Sequence, residues 1–149
     1  MKDPTQSIID ALYTLFNGNI TYNSKSVKVF KDQPTNSKAG IVKGKLYHYI
    51  LLENVDDTEL GANADNHVHD ATVDIEVVVG FPGIGSKAVV NSITDDAMRL
   101  LPAKGAGLSL GADFSNIIFE LENTVNLEER GTHKVVRKII TFRLEIDET

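Results

Sequence analysis

Residues 135–146 read VVRKIITFRLEI, and the side chains of this stretch alternate between its two sides with a period of two. One face would carry the apolar residues Val136, Ile140, Phe142, Leu144 and Ile146, interrupted by Lys138. The other face would carry Val135, Arg137, Ile139, Thr141, Arg143 and Glu145. Such alternation predicts a β-strand with one buried face and one largely solvated face.

A second strand precedes this one and is expected to pair with it. Residues 115–127 and 133–147 are predicted to form a hairpin whose turn is 128–131. At about 3.3 Å per residue, the stretch 135–146 spans roughly 36 Å. A globule of this chain length is roughly 38 Å across. The strand should therefore cross the whole domain, and we expect its turn to project beyond the globule.

Composition and charge place the chain among folded, single-domain proteins. Its 149 residues are 42% hydrophobic and 24% charged, close to globular averages. Because there is no cysteine, neither a disulfide framework nor a cysteine-based zinc site is possible. The net charge of -6 argues against non-specific binding to nucleic acid, which needs clustered lysine and arginine. We expect no secretion signal, because no apolar h-region follows the first seven residues. We expect no membrane partner, because no apolar run approaches the ~20 residues that span a bilayer.

Two helices are predicted from apolar residues at helical spacing. The first follows Asp3 and Pro4, which suit a helix start, and ends at the polar stretch 17–19. The second is expected to begin at Ser86 as its N-cap and to end near Pro102. Its apolar stripe comprises Val89, Ile93, Ala97 and Leu100.

Three further strands are predicted, at 27–30, 46–52 and 71–79. The strand at 46–52 carries large apolar residues on both sides, so it should lie centrally in the sheet with both faces covered. The acidic stretch 54–70 is interpreted as a long loop, mobile between Val55 and Val68 because it has few large apolar residues to dock. The order α-β-β-β-α-β-β predicts one α+β domain over residues 1–149. We expect a mainly antiparallel sheet packed by two helices on one face, with a long C-terminal β-hairpin.

Two glycine-rich stretches share letters with catalytic motifs but lack their context. Residues 80–87 end in Gly-Ser-Lys, whereas a phosphate-binding P-loop requires Gly-Lys-Ser or Gly-Lys-Thr. Residues 107–111 match G-x-S-x-G, but a nucleophile elbow needs a strand before the serine and a helix after it. We interpret the first as a plain turn and the second as a flexible loop. The sequence therefore predicts no catalytic residue and no enzymatic activity.

The best candidate for a metal site lies in the stretch 65–70. In an extended chain, His67 and His69 would point to the same side, and Asp65 or Asp70 could complete the ligand set. A polar loop offers little to fix ligand geometry, so two solvated surface histidines are the favoured interpretation. A metal-dependent binding protein or enzyme that uses this cluster remains the alternative of a different class.

Six segments together resemble the tail-completion, or tail-terminator, proteins of the neck of long-tailed bacteriophages and prophages. The resemblance lies in the layout of nearly the whole chain and not in a signature motif. Its last segment has the alternating strand with basic residues typical of that family, here Arg137 and Arg143, whereas the length of 54–70 departs from the commoner pattern. The segments are SIIDALYTLF (7–16), VKVFKDQP (27–34), YHYILLENV (47–55), ATVDIEVVVGFPG (71–83), SKAVVNSITDDAMRLL (86–101) and NTVNLEERGTHKVVRKIITFRLEI (123–146).

The resemblance implies a structural virion protein that needs no cofactor. Such proteins form a ring, usually a hexamer, that caps the finished tail tube and presents a surface to the head connector. The implied partners are further copies of the chain, the tail-tube protein and the neck proteins, with DNA only as passing cargo. The implied location is the virion, after assembly in the host cytoplasm. Another head–tail joining protein and a tail-tube protein remain open as neighbouring roles.

Partner-binding residues are predicted at three places. The projecting turn can touch a neighbour, and the acidic loop can become ordered against one. The face that carries Val135, Ile139 and Thr141 is too apolar for bare solvent if the helices cover only the opposite face. The predicted set is Glu128, Glu129, Arg130, Val135, Arg137, Ile139, Asp56, Asp57 and Glu59.

Overall fold

A computed structural model describes residues 2–63, 66–83, 85, 87–103, 106–131 and 134–149. Within these residues, three helices pack on a five-stranded sheet that is accompanied by a two-stranded hairpin. None of the described helices has the length and hydropathy needed to cross a membrane. The elements in chain order are α1 (Thr5–Phe16), β1 (Thr21–Tyr22), β2 (Lys25–Ser26), β3 (Lys28–Phe30), α2 (Asn36–Ala39), β4 (Tyr47–Asn63), β5 (Asn66–Phe81), α3 (Lys87–Leu100), β6 (Phe114–Arg130) and β7 (Lys134–Glu148).

The main sheet has the strand order β3-β4-β5-β7-β6. Strand β3 runs parallel to β4, and every other neighbouring pair is antiparallel. The α+β class and the long C-terminal hairpin predicted from the sequence are therefore confirmed. Strand β4 lies inside the sheet between β3 and β5, and its first half is buried on both faces, as its double-sided apolar pattern predicts.

The main core lies between one face of the sheet, here called the inner face, and the helices α1 and α3. Helix α1 contributes Ile8, Leu12 and Phe16, which recur at helical spacing and are fully buried. Strand β7 contributes the predicted apolar alternation to the same core. Its buried residues are Val136, Ile140, Phe142, Leu144 and Ile146.

The prediction of a long acidic loop at 54–70 is wrong. Strands β4 and β5 run through almost all of it as an antiparallel ladder, from Val55 opposite Val73 to Asn63 opposite Asn66, while residues 64 and 65 lie outside the described residues. The ladder has a register shift between Glu53 and Val55, and Asn54 is the extra residue of this bulge. Its φ of 58° is a conformation that asparagine adopts more readily than most residues. Backbone pairing, supported by β7 on the other side of β5, therefore overrides the low strand propensity of the acidic side chains.

Two other boundaries differ from the sequence prediction. Strand β6 continues through Arg130, so the predicted turn residues 128–130 lie in the strand opposite β7, and of the predicted turn only Gly131 lies beyond the strand. Strand β5 also continues past 79, and Gly80 pairs with Tyr47, whose ring occupies the space that a Cβ at position 80 would need. The predicted N-cap Ser86 lies outside the described residues, and α3 begins at Lys87.

The two predicted helices do not account for the whole helical content. The polar connection at 32–40 contains the short helix α2, which begins after Thr35 and whose cap residue, Gly40, has a left-handed φ of 73°. Its Ala39 packs in a small second core with Tyr47, Tyr49, Leu51 and Val78. Because this core lies on the face opposite α1 and α3, the described helices cover both faces of the sheet, not one.

Candidate assembly interface

The face of the sheet opposite α1 and α3, here called the outer face, is only partly covered. Of the three described helices, only α2 packs on it, at the end where β4 begins and β5 ends. Val135 of β7 packs against the edge of this second core, so part of the predicted apolar face is covered within the chain. No described helix packs on the remaining outer face, over the middle and far end of β5, β7 and β6.

Charged and hydroxyl side chains form cross-strand pairs on the outer face. Thr141 donates its hydroxyl to Asp74 Oδ1 at 2.6 Å, joining β7 to β5. Arg143 reaches in both directions: its Nε lies 2.8 Å from Asp70 on β5, and its Nη1 lies 3.1 Å from Glu120 on β6. These contacts lie on the solvated side of β7 that the period-two pattern predicts, and they fix the side chains of three neighbouring strands.

Arg137 is the most enclosed of the paired cations on this face. Its Nη1 donates to Glu76 Oε1 at 2.8 Å, and its Nε lies 3.7 Å from Glu129. Burial by itself lowers the pKa of Arg137, but the hydrogen bond and charge of Glu76 outweigh burial, so the pKa of the guanidinium is raised. Arg137 is therefore a fixed positive charge that ties β7 to β5.

Acidic side chains dominate the outer face. Alternation along the paired strands places most carboxylates of β4, β5, β6 and β7 on this side. Among the described residues of these strands, the basic side chains on the outer face are Arg137 and Arg143. The acidic ones are Glu53, Asp56, Asp70, Asp74, Glu76, Glu120, Glu129, Glu145 and Asp147.

Strand β6 forms an exposed edge of the sheet. It pairs with β7 on one side, and no other described strand pairs with its second side. Leu121, Val125 and Leu127 remain 53%, 39% and 44% exposed on this strand. Val125 and Leu127 lie on the outer face, where Val125 is opposite the partly buried Ile139, so these three residues form the apolar part of an otherwise acidic surface. Leu121 lies opposite Phe142, on the inner side. The sequence prediction includes Ile139 but misses Val125 and Leu127, although their alternation with Thr124 and Asn126 was visible.

The predicted tip residues 128–130 occupy the last positions at which β6 pairs with β7. Glu128 Oε1 is 3.6 Å from Lys87 Nζ, and Glu128 Oε2 is 3.8 Å from Lys134 Nζ. Arg130 is exposed and forms no ion pair with the residues described in the structure. Alternation places Glu129 on the outer face and its two neighbours on the inner side, so the three residues present their charges in different directions.

The acidic residues of β4 are also divided between the two faces. Asp57 lies on the inner side, where its carboxylate is 3.0 Å from His69 Nδ1. Glu59 lies on the same side, 2.9 Å from His67 Nδ1. Asp56 is opposite Thr72 and belongs to the outer face. The three predicted partner residues of this segment therefore do not form one patch.

His69 is fully buried between two carboxylates from different strands. Besides Asp57 on β4, its Nε2 lies 3.5 Å from Glu148 of β7, and the ring stacks edge-on against Phe114. Desolvation raises the pKa of Glu148, but hydrogen bonds from the Lys2 backbone and from His69 lower it by more, so its pKa lies below the usual value. This cluster ties β4, β5 and β7 together near the β4–β5 turn.

This geometry does not support the metal-site alternative. His67 and His69 do lie on the same side of β5, as predicted, but each faces its own carboxylate partner. Asp70 points to the opposite face, where it pairs with Arg143, and Asp65 lies outside the described residues. Within the part of the chain that the structure describes, no group of three or more His, Asp or Glu side chains could hold a metal ion.

The G-x-S-x-G stretch is a packed connection and not the flexible loop predicted from its glycines. Leu108 and Leu110 are buried in the main core. The Leu108 amide donates to the side chain of Asn116 at 2.8 Å, and a Cβ at Gly107 would collide with the Asn116 backbone. Ser109 lines a groove of about 610 Å³ between this connection and α1, whose polar wall includes Asp10 and Thr14.

Comparison with known proteins shows a likeness in fold. No family model matches the sequence, and no curated protein sequence matches it. Among solved structures, the fold is similar to that of a chain in the structure described as "Virion of native gene transfer agent (GTA) particle". The two chains superpose with a TM-score of 0.68 and 15% sequence identity, over 100% of each chain.

Proposed function

We propose that this chain is a structural protein of a phage-like virion, and that it acts as a tail terminator. In this role a ring of subunits, expected to be a hexamer, caps the tail tube and joins it to the head connector. The observation that carries the proposal is the fold match with a chain of the gene transfer agent virion, which extends over the full length of both chains. The more specific role, that of a tail terminator, rests on the resemblance in sequence layout to tail-terminator proteins.

The positions of the predicted partner residues suit a ring. A head-to-tail ring requires two different surfaces on each subunit, one for the neighbour on each side. Residues 128–130 lie on β6, at one edge of the main sheet. On β4, beyond the short β3 at the other edge, Asp56 lies on the outer face, whereas Asp57 and Glu59 lie on the inner side. Val135, Arg137 and Ile139 lie on the outer face of β7, beside β6.

The acidic outer face is compatible with DNA as passing cargo. Carboxylates repel the phosphate backbone, and the two arginines of this face are already held by Glu76, Asp70 and Glu120. A surface of this kind, facing a channel, would let DNA slide without binding it. We propose accordingly that the partners are other virion proteins, with no cofactor and no enzymatic role.

Deletion of the gene from the phage or prophage genome is the direct test. We expect tails that fail to join heads and that include some beyond the normal length, as seen by negative-stain electron microscopy, together with loss of infectious particles. Supplying the wild-type gene in trans should restore normal particles and is the control. Normal tail length and normal infectivity in the deletion strain would overturn the terminator role.

A triple variant tests the predicted tip. We expect Glu128→Ala, Glu129→Ala and Arg130→Ala together to leave the fold intact, because all three side chains are exposed, and to reduce head–tail joining. If the variant forms rings and supports normal particles, these residues are not part of the interface. Images of the purified wild-type protein separate the alternatives, because discrete rings support the terminator role and long filaments support a tail-tube role.

A further inference from the structure

Two stretches of the chain carry opposite charge on opposite sides of the main sheet. Residues 25–46, here called the basic border, include the edge strand β3 and the connection to β4, with six lysines and one aspartate. Residues 120–129, here called the acidic border, lie on the other edge strand, β6, with four glutamates and no lysine or arginine. The basic border thus has a net charge of +5 in a chain whose net charge is -6.

Most lysines of the basic border keep their charge uncompensated within the chain. Lys31 is the exception, because its Nζ lies 2.8 Å from Asp10. Lys28 Nζ donates to the carbonyl oxygen of Lys38 at 3.1 Å, a neutral acceptor. The other four lysines are exposed and form no ion pair with the residues that the structure describes: Lys25, Lys38, Lys43 and Lys45.

The glutamates of the acidic border are only partly compensated. Glu120 and Glu129 lie beside arginines that each have a nearer carboxylate partner on β5. Glu122 is the unpaired residue of the bulge between Leu121 and Asn123, and it forms no ion pair with any described residue. Because bulges and charged side chains hinder the addition of a further strand, a partner of this edge would contact the side chains of β6 and not its backbone.

The same two borders contain the large apolar side chains that are exposed in the described part of the chain. In the basic border, Val42 and Leu46 are 52% and 37% exposed, and two lysines lie between them in the sequence. In the acidic border, the exposed apolar residues lie between Glu120 and Glu129: Leu121, Val125 and Leu127. Apolar side chains with charged neighbours are typical of protein–protein contacts, and here the neighbouring charges are opposite in sign.

We propose that the basic border of one copy binds the acidic border of a second copy, head to tail, with the apolar residues of 42–46 against Val125 and Leu127. A nucleic acid would match the lysines but would leave Val42 and Leu46 in contact with phosphates, whereas the outer face of β6 offers both carboxylates and apolar side chains. Within one chain, Lys43 and Glu129 line the same groove without an ion pair between them, so neither border neutralises the other.

The contact joins two different surfaces, as a closed ring of identical subunits requires. The inference rests on the proposed function and deepens it, because it names the two surfaces through which neighbouring subunits of the ring meet. It also predicts that self-association weakens as salt is added, since exposed charges are screened over about 8 Å at physiological ionic strength.

Two charge-reversed variants of the full chain test the contact. Lys43→Glu with Lys45→Glu reverses the charges beside Val42 and Leu46. Glu122→Lys with Glu129→Lys reverses two charges of the acidic border. Each variant alone brings like charges together at the contact, so we expect its dissociation constant for self-association to rise about tenfold in analytical ultracentrifugation.

Mixing the two variants gives the decisive result. An equimolar mixture should associate as tightly as the wild-type protein, because each variant supplies the charges that the altered border of the other requires. A ring in which the two variants alternate closes with an even number of subunits, as the expected hexamer has. Recovery on mixing also excludes misfolding as the cause of the loss. If both variants are folded by circular dichroism and their mixture does not associate, the proposal is overturned.

A control variant separates the contact from the effect of net charge. Lys2→Glu with Arg99→Glu changes the net charge by the same amount as the lysine pair, at two exposed positions outside both borders. We expect this variant to associate like the wild-type protein. An equal loss in the control would overturn the proposal, and so would a wild-type protein that stays monomeric at low salt and at its highest soluble concentration.

A short DNA duplex tests the competing ligand of the lysines. We expect the wild-type protein not to bind it at physiological salt. Binding that is lost in the Lys43→Glu and Lys45→Glu variant, while self-association is unchanged, would assign the basic border to nucleic acid and refute the contact between copies.

The outcomes distinguish this inference from the proposed function. Abnormal tails in the deletion strain, together with full complementation by each charge-reversed variant and no recovery on mixing, would leave the terminator role in place and remove the contact. Recovery on mixing together with normal tails in the deletion strain would do the reverse.

Discussion

Replacing Gly80 by alanine should destabilise the protein through a single steric conflict. Gly80 lies opposite Tyr47 in the β4–β5 ladder, and a Cβ built at position 80 would overlap the Tyr47 ring. Tyr47 is only 8% exposed and stacks with Tyr49 at a ring-centroid distance of 6.3 Å, so it has little room to move away. The conflict is steric and not conformational, since the backbone at Gly80 does not have a positive φ.

The expected loss follows from the cost of overpacking. Inserting extra atoms into a well-packed core typically costs about 1–3 kcal/mol. For a chain of this length, such a loss lowers the melting temperature by roughly 3–9 °C. This loss is a large share of the total free energy of unfolding, which is typically only about 5–15 kcal/mol for a domain. We expect a displaced Tyr47 also to disturb Val135 and Glu129, which line the adjoining groove on the outer face.

Urea unfolding followed by circular dichroism measures this loss. The matched control is Gly83→Ala, because a Cβ at Gly83 would meet nothing within 4 Å and should leave the free energy of unfolding unchanged. A second substitution, Tyr47→Leu, removes the ring, so it should cost less in the Gly80→Ala background than in the wild-type protein. Equal stability of Gly80→Ala and Gly83→Ala would refute the reasoning, and so would purely additive effects of the two substitutions.

Two further predictions concern buried polar groups. Burial lowers the pKa of His48 from its ordinary value of 6.5, and its Nδ1 has no hydrogen-bond partner within the described chain. The unfolded chain binds a proton at His48 more readily than the folded chain does. The contribution of His48 to the free energy of unfolding is therefore complete above about pH 6.5 and is lost as the pH falls through the folded-state pKa. His48→Phe should therefore flatten the pH dependence of urea stability in this window, and an unchanged profile would contradict the prediction. Glu76→Gln removes the nearer of the two carboxylates beside the enclosed Arg137, and it should lower the free energy of unfolding by about 1–3 kcal/mol. The exposed Glu120→Gln should have little effect, and equal losses at the two positions would show that burial does not set the strength of these pairs.

The elements with a strong hydrophobic period could be predicted from the sequence. The alternation from Val136 to Ile146 predicted a strand with the correct buried face, and the helical spacing of Ile8, Leu12 and Phe16 predicted α1. These patterns are local, because each element must bury its apolar residues whichever other element packs against them. They were sufficient for the α+β class and for the division of β7 into a buried face and a largely solvated face.

The conformation of the polar segments depends on tertiary contacts. The stretch 54–70 looked like a loop because its carboxylates favour solvent, yet those carboxylates meet His67, His69 and Arg143, two of them across the β4–β5 ladder and one on β7. Likewise, the order β5-β7-β6 sets which charges lie side by side and leaves the second side of β6 open. Strand order and cross-strand partners depend on contacts between residues far apart in the chain, and periodicity within one segment carries no information about them.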